Sequence, residues 1–184
     1  MNAKLKDEHM NPLHLRLERP EDLGGIRKVH ELAFGRREEA DLVDRMRENG
    51  GRMVSVVAEL KGRLVGHVLF SEVQIHPQDK AEWTAWGLAP MAVVPDHSRQ
   101  GIGSALARRG LQELQDQPHA LVFVLGDPSY YRRFGFLSAH QLGYGDEYEA
   151  PKGAFQVFEL RPKALKELPA GLVKFRPEFA DAVS

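Results

Sequence analysis

The chain has no cysteine among its 184 residues. Disulfides, thiolate nucleophiles and thiolate metal sites are thereby excluded, and a reducing, cytoplasmic setting is expected. A dominant charge is also missing: 25 Lys and Arg stand against 26 Asp and Glu, for a net charge of −1. No overall field draws such a chain to nucleic acid or to an anionic membrane, and neither is expected as a partner. No apolar run approaches the roughly 18 residues needed to span a bilayer. The opening stretch MNAKLKDEHMNP lacks the apolar centre of a secretion signal and reads as a flexible tail over residues 1–11. The eight histidines show no paired helical spacing such as H-E-x-x-H, so no metal centre is expected.

What is present is the composition of a folded domain. Hydrophobic residues make up 42% and charged residues 28% of the chain, and its length suffices for one core without staples. LHLRLER, from Leu13, alternates as a half-buried strand. Pro20 opens a helix whose apolar face is Leu23, Ile26, Val29 and Ala33. A second helix follows with Leu42, Val43 and Met46 as its stripe, and Gly50-Gly51 stops it. Two strands from Met53 pair about a turn at Lys61-Gly62. The second is apolar on both alternations, as a strand covered on both faces would be. Residues 76–83 read as a loop, and AWGLAPMAVV reads as a strand broken by Pro90, which implies an edge, a bulge or a local parting of strands.

After that strand come a polar turn, Gly101 and Gly103, a helix to about Gln115 and the all-apolar strand ALVFVLG. This is a βαβ unit, expected to make a parallel crossover. DPSYYRRFGF then holds a short helix with Asp127 as N-cap, Pro128 at its first position and Gly135 as its stop. The last clear strand is Ala154 to Leu160, and the tail beyond Arg161 reads as a partly ordered cover. The expected fold class is α/β: a mixed, mostly antiparallel sheet of about six or seven strands, with helices on both faces. Residues 12–162 form the domain, and 163–184 a C-terminal extension that packs on it or is partly ordered.

A helix N-terminus bares about four amides and carries roughly half a positive charge. Glycine there lets those amides close on a bulky anion such as a pyrophosphate. The Walker loop is excluded because Ser104 and Ala105 follow Gly103. The Rossmann fingerprint is excluded because Leu106 stands where its third glycine belongs. A tight turn that merely needs glycine remains the plainer alternative.

The segments VVPDHSRQGIGSAL and GDPSYYRRFGF resemble the acyl-CoA-binding motif and the later tyrosine-bearing segment of the GNAT N-acetyltransferases. With LAPMAVVP and LVFVLGDP, the likeness is greatest to the YhbS-like acetyltransferases and spans about Leu15 to Leu160. One departure is Ser98, where the family usually has Gln or Arg three residues before the first glycine of the pair. The resemblance implies a single GNAT-like domain using acetyl-CoA as cosubstrate, without a metal, to acetylate a primary amine of a small molecule or of a protein or peptide. It implies that the Met91, Ala92 and Val93 backbone pairs with the pantetheine arm and that the Val93 N–H stabilises the oxyanion. Ser98, Arg99, Gln100, Gly101, Ile102, Gly103 and Ser104 would hold the pyrophosphate. Of the arginines at 99, 108, 109, 132 and 133, only Arg99 is assigned as a ligand.

Tyr131, four residues before Gly135, has the spacing of the family's general acid; Tyr130 is given a packing role. For the base, Glu72 leads and His67 and Asp127 follow, each with an ordinary structural alternative. A CoA-binding module without transferase activity is the rival reading, and a nucleotide-binding regulator a remoter one. The sequence leaves monomer and homodimer both open.

Overall fold

The computed structural model describes residues 12–181; the expected tail over residues 1–11 lies outside them. Strand β1 (His14–Leu17) leads through a single 3-10 turn into α1 (Leu23–Phe34), which ends at left-handed Gly35, and then α2 (Glu38–Glu48). Strands β2 (Met53–Leu60) and β3 (Arg63–His76) form a hairpin about Lys61 and Gly62, both at positive φ, as a two-residue turn of the right twist requires. Strand β4 (Trp83–Val93), α3 (Ile102–Glu113) and β5 (Leu121–Leu125) make the crossover unit. The chain continues through α4 (Pro128–Tyr131), β6 (Leu137–Ser138), β7 (Gly145–Asp146), β8 (Phe155–Glu159), α5 (Ala164–Glu167) and β9 (Leu172–Lys174). None of the described helices is long and apolar enough to cross a membrane.

The nine strands form one sheet in the order β1-β2-β3-β4-β5-β8-β6, with β9 on the far end of β3 and β7 beside β9. All pairings are antiparallel except β4 with β5 and β7 with β9. One core lies under α1 and α2, built on Ile26, Val43, Met46, Leu69, Phe123 and Phe155. The other lies under α3, built on Val68, Phe70, Trp86, Leu88, Ile102 and Leu106. Helix stripes and strand alternation dictate this division: Leu42, Val43 and Met46 are all buried, and β3 is covered on both faces.

On α1, the buried stripe consists of Ile26, Val29 and His30, while Leu23 at the first turn is exposed. The tail beyond Arg161 contributes β9 to the sheet, and Arg176 anchors the segment after it by bonding the Gly50 and Met46 carbonyls at the end of α2.

The crossover positions the site. Strands β4 and β5 pair only at Trp86–Val122 and Gly87–Phe123 and then part. Against β3, Phe70 faces Leu88 but Val68 faces Met91, so Ala89 and Pro90 together oppose Leu69. This bulge reverses the side-chain alternation: Trp86 and Leu88 before it, and Met91 and Val93 after it, all belong to the α3 face. Pro90 thus marks both a bulge and a parting of strands.

Candidate active site

Beyond the bulge, the Val94 N–H donates to the Val65 carbonyl. In an antiparallel ladder the bonded and non-bonded pairs alternate. The Val93–Gly66 pair is therefore non-bonded, and the Val93 and Met91 backbone groups turn away from β3 toward the side that β5 has left. An unpaired strand edge results, with free donors and acceptors.

The chain then makes a 3-10 turn at Pro95–His97. The Ser98 hydroxyl donates to the Pro95 carbonyl and the Gln100 amide to the Asp96 carbonyl, so both side chains brace the turn. Arg99 and Gly101 have φ of 58° and 85°. Left-handed backbone suits glycine and strains arginine. The first bond of α3 runs from the Ala105 N–H to the Gly101 carbonyl, which leaves the Ile102, Gly103 and Ser104 amides without helical acceptors. A Cβ on Gly101 would meet nothing within 4 Å. With no Cβ on Gly101, the amide end of α3 stays uncovered.

Strand edge and helix end share a cleft of about 490 Å³, lined by Met91, Ala92, Val93, Ser98, Arg99, Gly101, Gly103, Ser104, Tyr130 and Arg133. Of the residues expected to bind there, Gln100 serves the turn and Ile102 points into the α3 core. Arg133, set aside in the sequence reading, lines the cleft: its guanidinium lies 4.3 Å from the Tyr130 ring centre, and its Nε donates to the Tyr130 carbonyl.

The two tyrosines come from α4, which Asp127 caps by accepting from the Ser129 N–H at 2.8 Å. Hydrogen bonds from Ser129 hold that carboxylate below its usual range. Tyr130 faces the cleft, its oxygen 2.7 Å from where a Cβ on Gly103 would stand. Tyr131 is 8% exposed and packs its ring against Gly126, at the end of β5, and edge-on to Phe136. Burial, reinforced by Tyr130, pushes its phenol well above the ordinary tyrosine value.

The carboxylate and imidazole expected as bases are elsewhere. Glu72 accepts from His119 Nε2 at 2.7 Å, pairs with Arg52 and lies across from Trp86, near the opposite end of β4. It lines a separate depression with Gln74, Thr84 and Lys174. His67 is fully buried on the α1 side of β3, opposite Ala92, with both ring nitrogens engaged. Its partner His30 went unnoticed in the sequence, although its position four residues after Ile26 puts it on the same helical face. Among the described residues no three His, Asp or Glu side chains gather as metal ligands.

The family model for the acetyltransferase (GNAT) domain matches residues 14–139. The chain belongs to the GNAT N-acetyltransferase family. It is 35% identical over 166 residues to the N-acetyltransferase YhbS of Escherichia coli (strain K12), covering 90% of this chain and 97% of that protein. The crystal structure of E. coli YhbS in complex with CoA superposes with a TM-score of 0.84 at 34% identity, over 94% of this chain and 96% of that one. A GNAT acetyltransferase from Brucella melitensis in complex with acetyl-CoA gives 0.74 at 34% identity, over 92% and 99%. The expected mixed α/β fold and family membership are both borne out.

Proposed function

We propose that this N-acetyltransferase takes acetyl-CoA as cosubstrate and transfers its acetyl group directly to a primary amine of a small molecule or of a protein or peptide. The observation that carries this reading is the shared cleft, where the free Met91–Val93 edge runs into the bared amides of α3. The two similar structures with CoA and acetyl-CoA support it.

The cleft fits the ligand's chemistry. The Gly101–Ser104 amides suit a diphosphate, and Arg99 and Arg133 add positive charge at its rim. The unpaired edge suits the amide-bearing pantetheine arm, which would add to it as a strand. Acetyl-CoA supplies the activated acyl group. The Val93 N–H, aimed into the gap, would stabilise negative charge on the thioester oxygen, a contribution of about 3 kcal/mol for one such donor. Tyr131 would donate the proton that the departing thiolate needs. Its phenol is protonated at neutral pH, and burial strengthens that preference. Glu72 has no part in this scheme.

Calorimetry with acetyl-CoA, followed by thiol release across a panel of primary amines, tests the proposal. Tyr131→Phe is expected to bind acetyl-CoA like wild type and to lose about 100-fold in kcat. Absence of binding at millimolar acetyl-CoA would overturn the reading. Binding without turnover of any amine would favour a CoA-binding module.

A further inference from the structure

Beneath the Met91–Val93 edge, on the α1 side of the sheet, lies a buried polar chain that the scheme above leaves unused. His30 Nε2 is 2.7 Å from His67 Nδ1, and His67 Nε2 is 2.8 Å from the Ser55 hydroxyl. Ser55 in turn donates to the Glu18 carboxylate, which Arg47 clamps through Nη2 at 2.6 Å. Both histidines are 0% exposed.

The end of the chain fixes its direction. A carboxylate only accepts, so the Ser55 hydrogen points to Glu18 and its oxygen accepts from His67 Nε2–H. Neutral His67 then has a bare Nδ1, which must accept from His30 Nε2–H. Neutral His30 is left with a bare Nδ1. That atom is buried and has no hydrogen-bond partner among the described residues. A buried acceptor without a donor is costly and calls for explanation.

Its place in the fold supplies one. His67 is the cross-strand neighbour of Ala92, and such neighbours share a face with Cβ atoms about 5 Å apart. Met91 and Val93 show their side chains to the α3 face, from which the cleft opens; Ala92 shows its methyl to the face of His67 and His30. A thioester lying on this edge is thus flanked by the cofactor cleft on one face and the histidine pair on the other. The ring of Phe34 lies flat on the face of His30, with centroids 5.9 Å apart, and Phe34 is 41% exposed at the last position before left-handed Gly35.

Resting on the proposed acetyl transfer, we propose that His30 Nδ1 is the base that takes the proton from the acceptor nitrogen. His67, Ser55 and Glu18 act as positioning residues that hold its lone pair bare. The acceptor enters on the α1 side of the sheet, past the exposed Phe34 ring, and meets Nδ1 in the plane of the imidazole. Its nitrogen bonds to the thioester carbon, an N–H bond breaks, and Nδ1–H forms. The C–S bond breaks, and the thiolate takes its proton from Tyr131. His30 then gives its proton to water, and the Tyr131 phenolate takes one back from water, so that both residues are restored as the products leave. The charges facing the imidazolium are Glu18 and Arg47, already paired with each other, and neutral His67. Burial holds His30 at about 4. A base that weak does not strip a free ammonium, but it suits a nitrogen made acidic by joining the thioester carbon.

The decisive variant is His30→Gln, whose amide can still donate to His67 but offers no basic nitrogen. Acetyl-CoA binding is read by calorimetry, and thiol release from acetyl-CoA is read with and without the amine panel. The expected result is wild-type binding, a melting temperature within a few degrees of wild type and at least a 100-fold loss of kcat with little change in KM for acetyl-CoA. His30→Ala should show the same loss, and added imidazole should restore part of it, which a purely structural role would not allow. Ser55→Ala, which frees the tautomer, should lose about 10-fold. Thiol release by His30→Gln within threefold of wild type overturns the assignment. So does a wild-type protein that binds acetyl-CoA yet releases no thiol faster than buffer. Failure to bind acetyl-CoA would instead remove the cofactor reading itself.

Discussion

Tyr130 holds its hydroxyl directly over Gly103, so that a methyl group on that glycine would come within 2.7 Å of the phenolic oxygen. Gly103→Ala is therefore expected to push the phenol into the cleft and to screen the helix amides. Acetyl-CoA affinity should fall at least 10-fold by calorimetry, with stability changed by less than about 1 kcal/mol, because a side-chain tip can move aside. In a Tyr130→Phe background the same substitution should cost less. A double-mutant cycle that finds the two changes additive would show that the contact does not matter to binding.

Gly110 is a different kind of glycine. A Cβ there would lie 2.1 Å from Cε2 of Phe70, which is fully buried on the sheet. Alanine ordinarily improves a helix interior by about 1 kcal/mol over glycine. Here the overpacking should dominate, and Gly110→Ala should destabilise by about 2 kcal/mol or more in urea titration.

Acid should weaken the fold through the two buried histidines. Burial, aided by Arg47, lowers His30 from 6.5 to about 4, and burial with His30 and Arg47 nearby holds His67 well below 6.5. The unfolded chain thus binds more protons than the folded one as pH falls below about 6.5, and stability present above that value drains away toward pH 4. For His30 alone the loss is on the order of 3 kcal/mol. His30→Gln should flatten this part of the urea-midpoint profile. A second loss should begin below about 4.5, where Glu178 protonates in the unfolded chain, and continue toward about 2, where the Arg176 hydrogen bonds still hold it ionised in the folded one.

Removing the cap of α4 should show up in stability and catalysis together. Asp127→Ala deletes the acceptor of the Ser129 amide and hydroxyl. The urea midpoint should fall. Because that helix carries both tyrosines, kcat should fall while the KM for acetyl-CoA changes less.

Much of the architecture was readable from local chemistry. Stripes such as Leu42, Val43 and Met46, the Lys61-Gly62 turn, the Asp127-Pro128 helix start and the bend at Gly101 all carry their own physical reasons. The elements missed are those without such a signature. Strands β6, β7 and β9 have two or three residues each, too few for a period, and form because a neighbouring strand offers unpaired backbone. In the site, the loop and the free strand edge were legible through glycine and proline. The placing of Tyr130, Arg133 and Glu72 was not, because helix rotation and distance along a strand are set by packing. His30 was hidden by its polarity: a histidine on an apolar stripe does not announce that its hydrogen bonds lie on other segments.

The extra residue at Ala89-Pro90 has a consequence for what can change in this protein. Deleting one residue of the pair would leave Leu88 opposite Phe70 and Met91 opposite Val68, so every later side chain would keep its layer and only the local kink would be lost. A deletion farther on, between Met91 and Val93, where each residue has a single partner on β3, would instead swap inside for outside along the rest of the edge. Residue count is therefore more forgiving at the kink than along the edge beyond it.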